Sequence, residues 1–284
     1  MLIAYGAIEA QKGEAGLDEF TKGLEVIIDS VDALGAQTIL LSTIPVKLAG
    51  TPENTVTQNK SLKIYSDAIS KTALKRKKRF VDLYTPVSKN KGAIYADNGI
   101  HLNDKGYYYL AQVLENAFGW PVRGEKITID AAAKGDPTGG GKVEFSAEEK
   151  LLPLPVPASG QAAPAASVSI QISGLKAGRY TLTENGKQLL TASADDWARG
   201  IALSNGISQT QSARLSDSIA RKNDFFFQQY RPLNRTYILG FRSYEQGRHV
   251  KTLEDLNFII TWLEGQIALN RSPKATVYQL TPIK

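Results

Sequence analysis

Apolar residues change their spacing twice along the chain, and the changes mark out three stretches. Leu2-Ile3-Ala4-Tyr5 is a short apolar run that ends at Gly6. Leu17, Phe20, Leu24, Ile27, Ile28, Val31 and Leu34 then recur at helical spacing, and Gly35 follows as a stop. Thr38-Ile39-Leu40-Leu41-Ser42 is a continuous run of the kind buried on both faces of a parallel sheet. Leu62, Ile64, Tyr65, Ile69 and Ala73 mark a second helix, Phe80-Val81-Asp82-Leu83-Tyr84 a third strand, and Tyr108 to Phe118 a closing helix. This alternation predicts an α/β unit with a parallel sheet and right-handed crossovers. Sites in such sheets lie beyond the carboxyl ends of the strands. Gly6 to Glu9, Ser42 to Lys47 and the loop carrying His101 all fall on that edge, so one cleft could gather them.

The texture shifts after Trp120-Pro121. Lys126 to Asp130 and Lys142 to Phe145 alternate like strands on either side of Gly139-Gly140-Gly141, and residues 151–166 are a Pro/Ala/Gly-rich loop. Val168 to Ile172 alternates cleanly, and Arg179 to Leu190 reads as a hairpin closed by Asn185-Gly186. A small β-sandwich is expected over 122–206. Helical patterns from Gln209 and from Leu253 to Leu269, then a short extended tail, make up a helical extension over 207–284. Residues 1–121 form the α/β domain in this division.

Composition narrows the function classes. The 284 residues hold no cysteine and two histidines, so disulfides and thiolate metal sites are excluded and a histidine-rich zinc site is not expected. No cofactor is expected either. The net charge of +6 owes much to Lys75-Arg76-Lys77-Lys78-Arg79, which reads as a solvated helix end complementing the helix dipole. It lacks the interleaved aromatics of a nucleic-acid surface. No apolar run reaches the roughly 18 residues of a membrane span, and Met1 to Gly6 lacks the regions of a signal peptide.

The segment Tyr95-Ala96-Asp97-Asn98-Gly99-Ile100-His101-Leu102 carries the candidate chemistry. It sets His101 in an Asn-Gly turn just ahead of an amphipathic helix. An acid or amide three or four residues earlier can hydrogen-bond the second ring nitrogen and choose the tautomer, which is how a general base is built. The bland alternative is a surface histidine at a helix-start turn. Gly6 could offer its backbone N–H to an oxyanion or serve only as turn chemistry. Ile8 is expected to pack, and Asn59 to cap a helix. Arg231, Arg235, Arg242, Glu245 and His249 could be a polar cluster over the cleft or ordinary salt bridges. Phe225-Phe226-Phe227, Tyr230 and Trp262 read as interdomain core in preference to a carbohydrate platform.

Tyr5-Gly6-Ala7-Ile8-Glu9 resembles the third block, G-x-N-[DE], of the SGNH (GDSL-type) hydrolases, and Asn98-Gly99-Ile100-His101 resembles their final D-x-x-H. Gly13 to Leu17 and His101 through Tyr107 resemble a planctomycete-type branch. Lys222-Asn223, Arg231 to Asn234 and Phe241 to Gly247 resemble its C-terminal extension. The resemblance implies a partial flavodoxin-like three-layer fold over 1–121 and a serine ester hydrolase acting on acyl or acetyl esters, carbohydrate-linked ones among them. It implies His101 as base, Asn98 or the neighbouring Asp97 as its partner, Gly6 as an oxyanion donor, and export in full-length relatives. Three departures qualify this. Neither G-D-S nor G-x-S-x-G occurs in the chain, and the resemblance places the nucleophile block upstream of residue 1. Ile8 occupies the oxyanion asparagine position, a loss typically worth ~10²–10³ in rate. Asn98 stands where the aspartate belongs; in serine proteases that change costs about 10⁴. The chain alone is expected to be weak or inactive, or a non-catalytic binding or structural protein of the same descent. Without the neighbouring strand, Leu2 to Tyr5 is expected to form an exposed apolar edge open to self-association, with marginal stability of 1–120 in isolation.

Overall fold

Ile39 and Leu41 leave strand β2 (Ile39–Leu41) on one side and Leu40 on the other, and each side meets its own hydrophobic cluster. The computed structural model describes all residues except 49–51, 122, 125, 133–140, 148, 156, 158–167, 204, 233–235, 237–239, 243, 245–247 and 284, and the side chains of 248–250 and 252. The Gly139-Gly140-Gly141 turn and the 151–166 loop of the sequence reading fall largely outside the described residues. The chain divides into two compact units, Met1–Pro121 with Pro157–Gly160, and Val122–Val156 with Gln161–Lys284. Together they are a mixed α/β protein with one parallel sheet and further antiparallel pairing.

In the first unit, β1 (Leu2–Ile3), β2 and β3 (Arg79–Val81) lie parallel in the order β1-β2-β3. A 3-10 segment (Glu9–Gly16) and α1 (Leu17–Ala33) connect the first two, and α2 (Pro52–Lys75) the next two. After β3 come α3 (Tyr84–Lys89), the histidine turn and α4 (Asp104–Phe118). Phe20, Leu24 and Ile28 of α1 and Leu62, Tyr65 and Ile69 of α2 pack with Ile3 and Leu40 on one side. Leu41, Val81 and Leu83 pack with Leu110, Val113 and Leu114 of α4 on the other. The period of two within β2 thus supplies both clusters. Burying each such side chain contributes about 1.5–3 kcal/mol.

The basic run differs from its sequence reading. Lys75 pairs with Glu25, Lys78 with Asp32, and Arg76 with both Asp29 and Asp32, so the end of α2 is tied to the acidic side of α1. These groups keep partial access to water, so each pair is worth about 0–1 kcal/mol and serves mainly to set register.

In the second unit, β5 (Val143–Ala147), β7 (Arg179–Glu184), β8 (Lys187–Ser193) and β10 (Thr276–Pro282) form an antiparallel sheet in the order β5-β10-β7-β8. A second sheet has β4 (Lys126–Asp130), β6 (Ser169–Ser173) and β9 (Ile201–Ala202) in that order, with β4 and β6 parallel. Phe145, Tyr180, Leu182, Tyr278 and Leu280 of one sheet share a cluster with Ile129, Ile170 and Ile172 of the other. The Asn185-Gly186 turn forms as its sequence predicts, both residues taking positive φ of 46° and 83°. Helix α5 (Ala194–Arg199) opens on a Ser193/Asp196 capping box. The tail is a full strand inserted between β5 and β7, where a short extended end was expected.

Helices α6 (Ile207–Tyr230) and α7 (Arg248–Asn270) run antiparallel: Gln211 reaches the carbonyl of Asn270, and Gln229 that of Leu253. Of the aromatic residues expected in an interdomain core, Phe225 is half-buried and the others are exposed. Phe226, Phe227, Tyr230 and Trp262 are all more than half exposed: the buried positions of α6 are the small Ser208 and Ser212, and those of α7 are Ile260 and Leu263. No helix among the described residues is long and apolar enough to cross a membrane.

Candidate active site at the histidine turn

Residues 94–103 form a tight loop held from three directions. Ala96 N–H donates to the His101 carbonyl and Gly99 N–H to that of Ala96, closing the turn on itself. Ile94 and Leu102 are buried beneath it with Val87, so the chain on either side of His101 is anchored while His101 itself is exposed. Lys47 N–H donates to the Gly99 carbonyl at 2.7 Å, and the Tyr95 hydroxyl donates to the Pro45 carbonyl at 2.9 Å. Burial raises the Tyr95 phenol above its ordinary pKa, which keeps that donor protonated. Gly99 has a φ of 66°, and a Cβ there would collide with the Lys47 carbonyl, so glycine is required twice over. Asn103 accepts from Gly106 N–H and caps α4, fixing where the turn ends.

Asn98 decides what His101 can do. Its side-chain oxygen accepts from the backbone N–H of Ile100 and of His101, both at 3.0 Å. Two donors already point at that oxygen, so the amide cannot be turned over, and its NH₂ faces Nδ1 of His101 at 2.7 Å. A donor facing Nδ1 makes Nδ1 the acceptor. The neutral ring then carries its proton on Nε2. A serine-type base needs the reverse, a proton on Nδ1 and a free lone pair on Nε2. Asp97 is exposed and takes no part in the bond to His101.

The remaining expected site residues sit on the neighbouring loops. Gly6 has a φ of 109°, and a Cβ on it would lie 3.1 Å from Cγ2 of Thr43, so the loop after β1 abuts the loop after β2. That second loop in turn holds Gly99 through Lys47, which links the three loops at one edge of the sheet. The Gly6 N–H donates to the Glu9 carboxylate at 3.0 Å, however, and so is already committed. Ile8 does not pack; it is 77% exposed, because the 3-10 segment that follows buries Ala10 and Gly16 instead. A cleft of about 340 Å³ beside the Gly6 turn is lined by Tyr5, Glu9, Lys12, Phe20, Leu24 and Ile27, without His101.

No hydroxyl is hydrogen-bonded to the His101 ring among the described residues. Ser42 accepts from the N–H groups of Leu83 and Tyr84 and donates to the Thr43 carbonyl. Thr43 and Ser66 are buried and bonded to each other at 2.7 Å. Asn59, expected as a helix cap, lies within α2 and bonds both the N–H and the carbonyl of Val46, bracing the loop that carries Lys47. Its oxygen-and-nitrogen match to one residue's backbone leaves no sign in the sequence. Of the C-terminal charged set, Arg235, Glu245 and the side chain of His249 lie outside the described residues, and Arg231 covers the Tyr230 ring at 5.9 Å. No three acidic or histidine side chains converge as a metal cage would need, among the described residues.

The sequence matches no protein-family model and no curated protein. Its structure is similar to that of a gut microbial diltiazem-metabolizing enzyme, at a TM-score of 0.71 and 12% identity, over 99% of this chain and 83% of that one. At that identity the likeness shows a shared fold. A candidate SGNH hydrolase from Slackia heliotrinireducens matches with a TM-score of 0.35 and 16% identity, over 42% of this chain and 64% of its own. A candidate acylhydrolase from Bacteroides fragilis matches with a TM-score of 0.30 and 20% identity, over 42% of this chain and 61% of its own.

Proposed function

We propose that the protein is of SGNH-type ester-hydrolase descent, with the first unit as part of a flavodoxin-like three-layer domain. Its site recognises acyl or acetyl esters, carbohydrate-linked ones included, and as this chain hydrolyses them weakly or not at all. The motif order supports the lineage: a glycine turn after the first strand and a histidine turn before the last helix of a parallel α/β unit. An enzyme shares the fold, which is compatible with that descent. The bond from Asn98 to Nδ1 of His101 carries the second half of the reading. With its proton on Nε2 and Nδ1 held by Asn98, His101 cannot take a proton from a nucleophile.

A second reading, a non-catalytic binding protein, is favoured by the Gly6 N–H being spent on Glu9. Hydrolysis of p-nitrophenyl acetate by the full chain and by His101→Ala tests the proposal. The two rates are expected to agree within about tenfold. A general base contributes ~10²–10⁴ and a transition-state donor ~10²–10³, so a drop of that size in His101→Ala would show His101 at work in catalysis and overturn the reading of a weak or inactive chain.

A further inference from the structure

The second unit holds a cleft of about 690 Å³ between the start of β8, the first half of α6 and the last half of α7. That volume is within the range of small-molecule sites, about 300–1,000 Å³. Four cations line it: Lys187, Arg214, Arg221 and Lys274. None of the four forms an ion pair among the described residues, in contrast to the basic run of the first unit, where Lys75, Arg76 and Lys78 are all paired. The single carboxylate in the lining, Glu184, is buried and occupied: it accepts from the Ile207 N–H at 2.7 Å and from the Tyr278 hydroxyl. One carboxylate against four cations leaves the lining with an excess of positive charge. Four like charges around one concavity repel one another and focus a positive potential into it.

The rest of the lining narrows the ligand. Trp262 is 62% exposed and lines the cleft. An aromatic face is electron-rich and stacks against the C–H faces of a sugar ring. Amide side chains make up much of the remainder, and they can donate to and accept from hydroxyls in the same site. Gln211 braces the cleft wall, its Nε2 donating to the carbonyls of Asn270 and Ser272. A nucleic-acid groove would interleave several stacking aromatics with its cations, and only one aromatic lines this cleft.

We infer that this cleft binds an acidic saccharide, a short run of sugar residues bearing carboxylate or sulfate groups. The arginines form charge-assisted bonds to the acidic groups, Trp262 stacks on a ring, and the amides read the hydroxyls. The inference is independent of the ester chemistry at His101, since it concerns binding alone.

Isothermal titration of the full chain with trigalacturonate, a sulfated heparin-derived tetrasaccharide, neutral maltotetraose and an oligothymidylate tests it. At least one acidic saccharide is expected to bind, with affinity falling as salt rises. Arg214→Gln/Arg221→Gln is expected to weaken that binding at least about tenfold. Trp262→Leu is expected to weaken it about fivefold or more. All three positions are exposed, so the variants should keep the wild-type melting profile. The inference is overturned if neither acidic saccharide binds, if the neutral one or the oligothymidylate binds as tightly, or if the variants leave binding unchanged.

Discussion

The amide nitrogen of Asn98 stands 2.7 Å from Nδ1 of His101, and the oxygen of the same amide is held by two backbone N–H groups. One side chain thus closes the turn and sets the tautomer. A long-range ¹H–¹⁵N spectrum of the imidazoles should place Nδ1 of His101 among acceptor nitrogens and Nε2 among protonated ones. The only other histidine, His249, can be removed by His249→Gln for assignment. In Asn98→Asp the carboxylate accepts from both backbone N–H groups and from the ring, and the proton should move to Nδ1. An unchanged spectrum in Asn98→Asp would mean that Asn98 does not choose the tautomer.

The contact between Gly99 and Lys47 makes a second expectation. Gly99→Ala forces a Cβ onto the Lys47 carbonyl at a positive φ, and the left-handed conformation alone costs about 1–2 kcal/mol. Relief requires the turn to move off the loop, with loss of the Lys47 to Gly99 hydrogen bond. Urea denaturation should show a loss of at least about 1 kcal/mol. Protection of the Lys47 amide from hydrogen exchange should fall with it. A neutral Gly99→Ala would contradict the packing described for this turn.

Strand β1 pairs only with β2 among the described residues; its Leu2 and the flanking Met1 and Tyr5 are each more than half exposed. An apolar strand with one open edge invites pairing with another chain. Sedimentation velocity should show concentration-dependent association, and Leu2→Lys should shift it toward monomer. Association that is absent, or insensitive to Leu2→Lys, would remove β1 from consideration.

Tyr278 supplies a pH dependence. Burial first, and the nearby Glu184 carboxylate second, raise its pKa well above the ordinary value of about 10. A group whose folded pKa is raised contributes stability that is complete below the unfolded pKa and is lost as pH climbs through the folded one. Tyr65, Tyr84 and Tyr95 are shifted the same way, chiefly by burial. Melting temperature should therefore hold steady up to about pH 10 and decline beyond it. Tyr278→Phe should decline less steeply, with Tyr65, Tyr84 and Tyr95 accounting for the rest of the effect. A profile that is flat above pH 10 in the wild type would refute this.

Local periodicity made most elements legible. The helices led by Leu17, Leu62 and Leu253 and the Asn185-Gly186 hairpin could all be read because their signals are confined to a turn or two of chain. The start of α2 was harder: the apolar pattern begins at Leu62 but the helix begins at Pro52, which moved Asn59 from a cap to an interior brace. The place of β10 was not legible, although Thr276, Tyr278 and Leu280 alternate inward, because strand partners are chosen by non-local contacts. At the candidate site, the sequence showed an amide three residues before His101 but not which end of it faced the ring. Two backbone N–H groups settle that, and they exist only once the turn has closed.

The central position of β10 has a kinetic side. Its contact between Tyr278 and Glu184 spans 94 residues, and that between Gln279 and Glu144 spans 135. Until the last strand is synthesised, β5 and β7 each face an unfilled slot, while the local β7–β8 hairpin and the α6–α7 pair have everything they need to form. Assembly of the second unit should therefore wait on its final strand, giving a slow phase governed by long-range loop closure. A ribosome-bound chain stalled before Thr276 would hold two adjacent open strand edges, the species most in need of a chaperone.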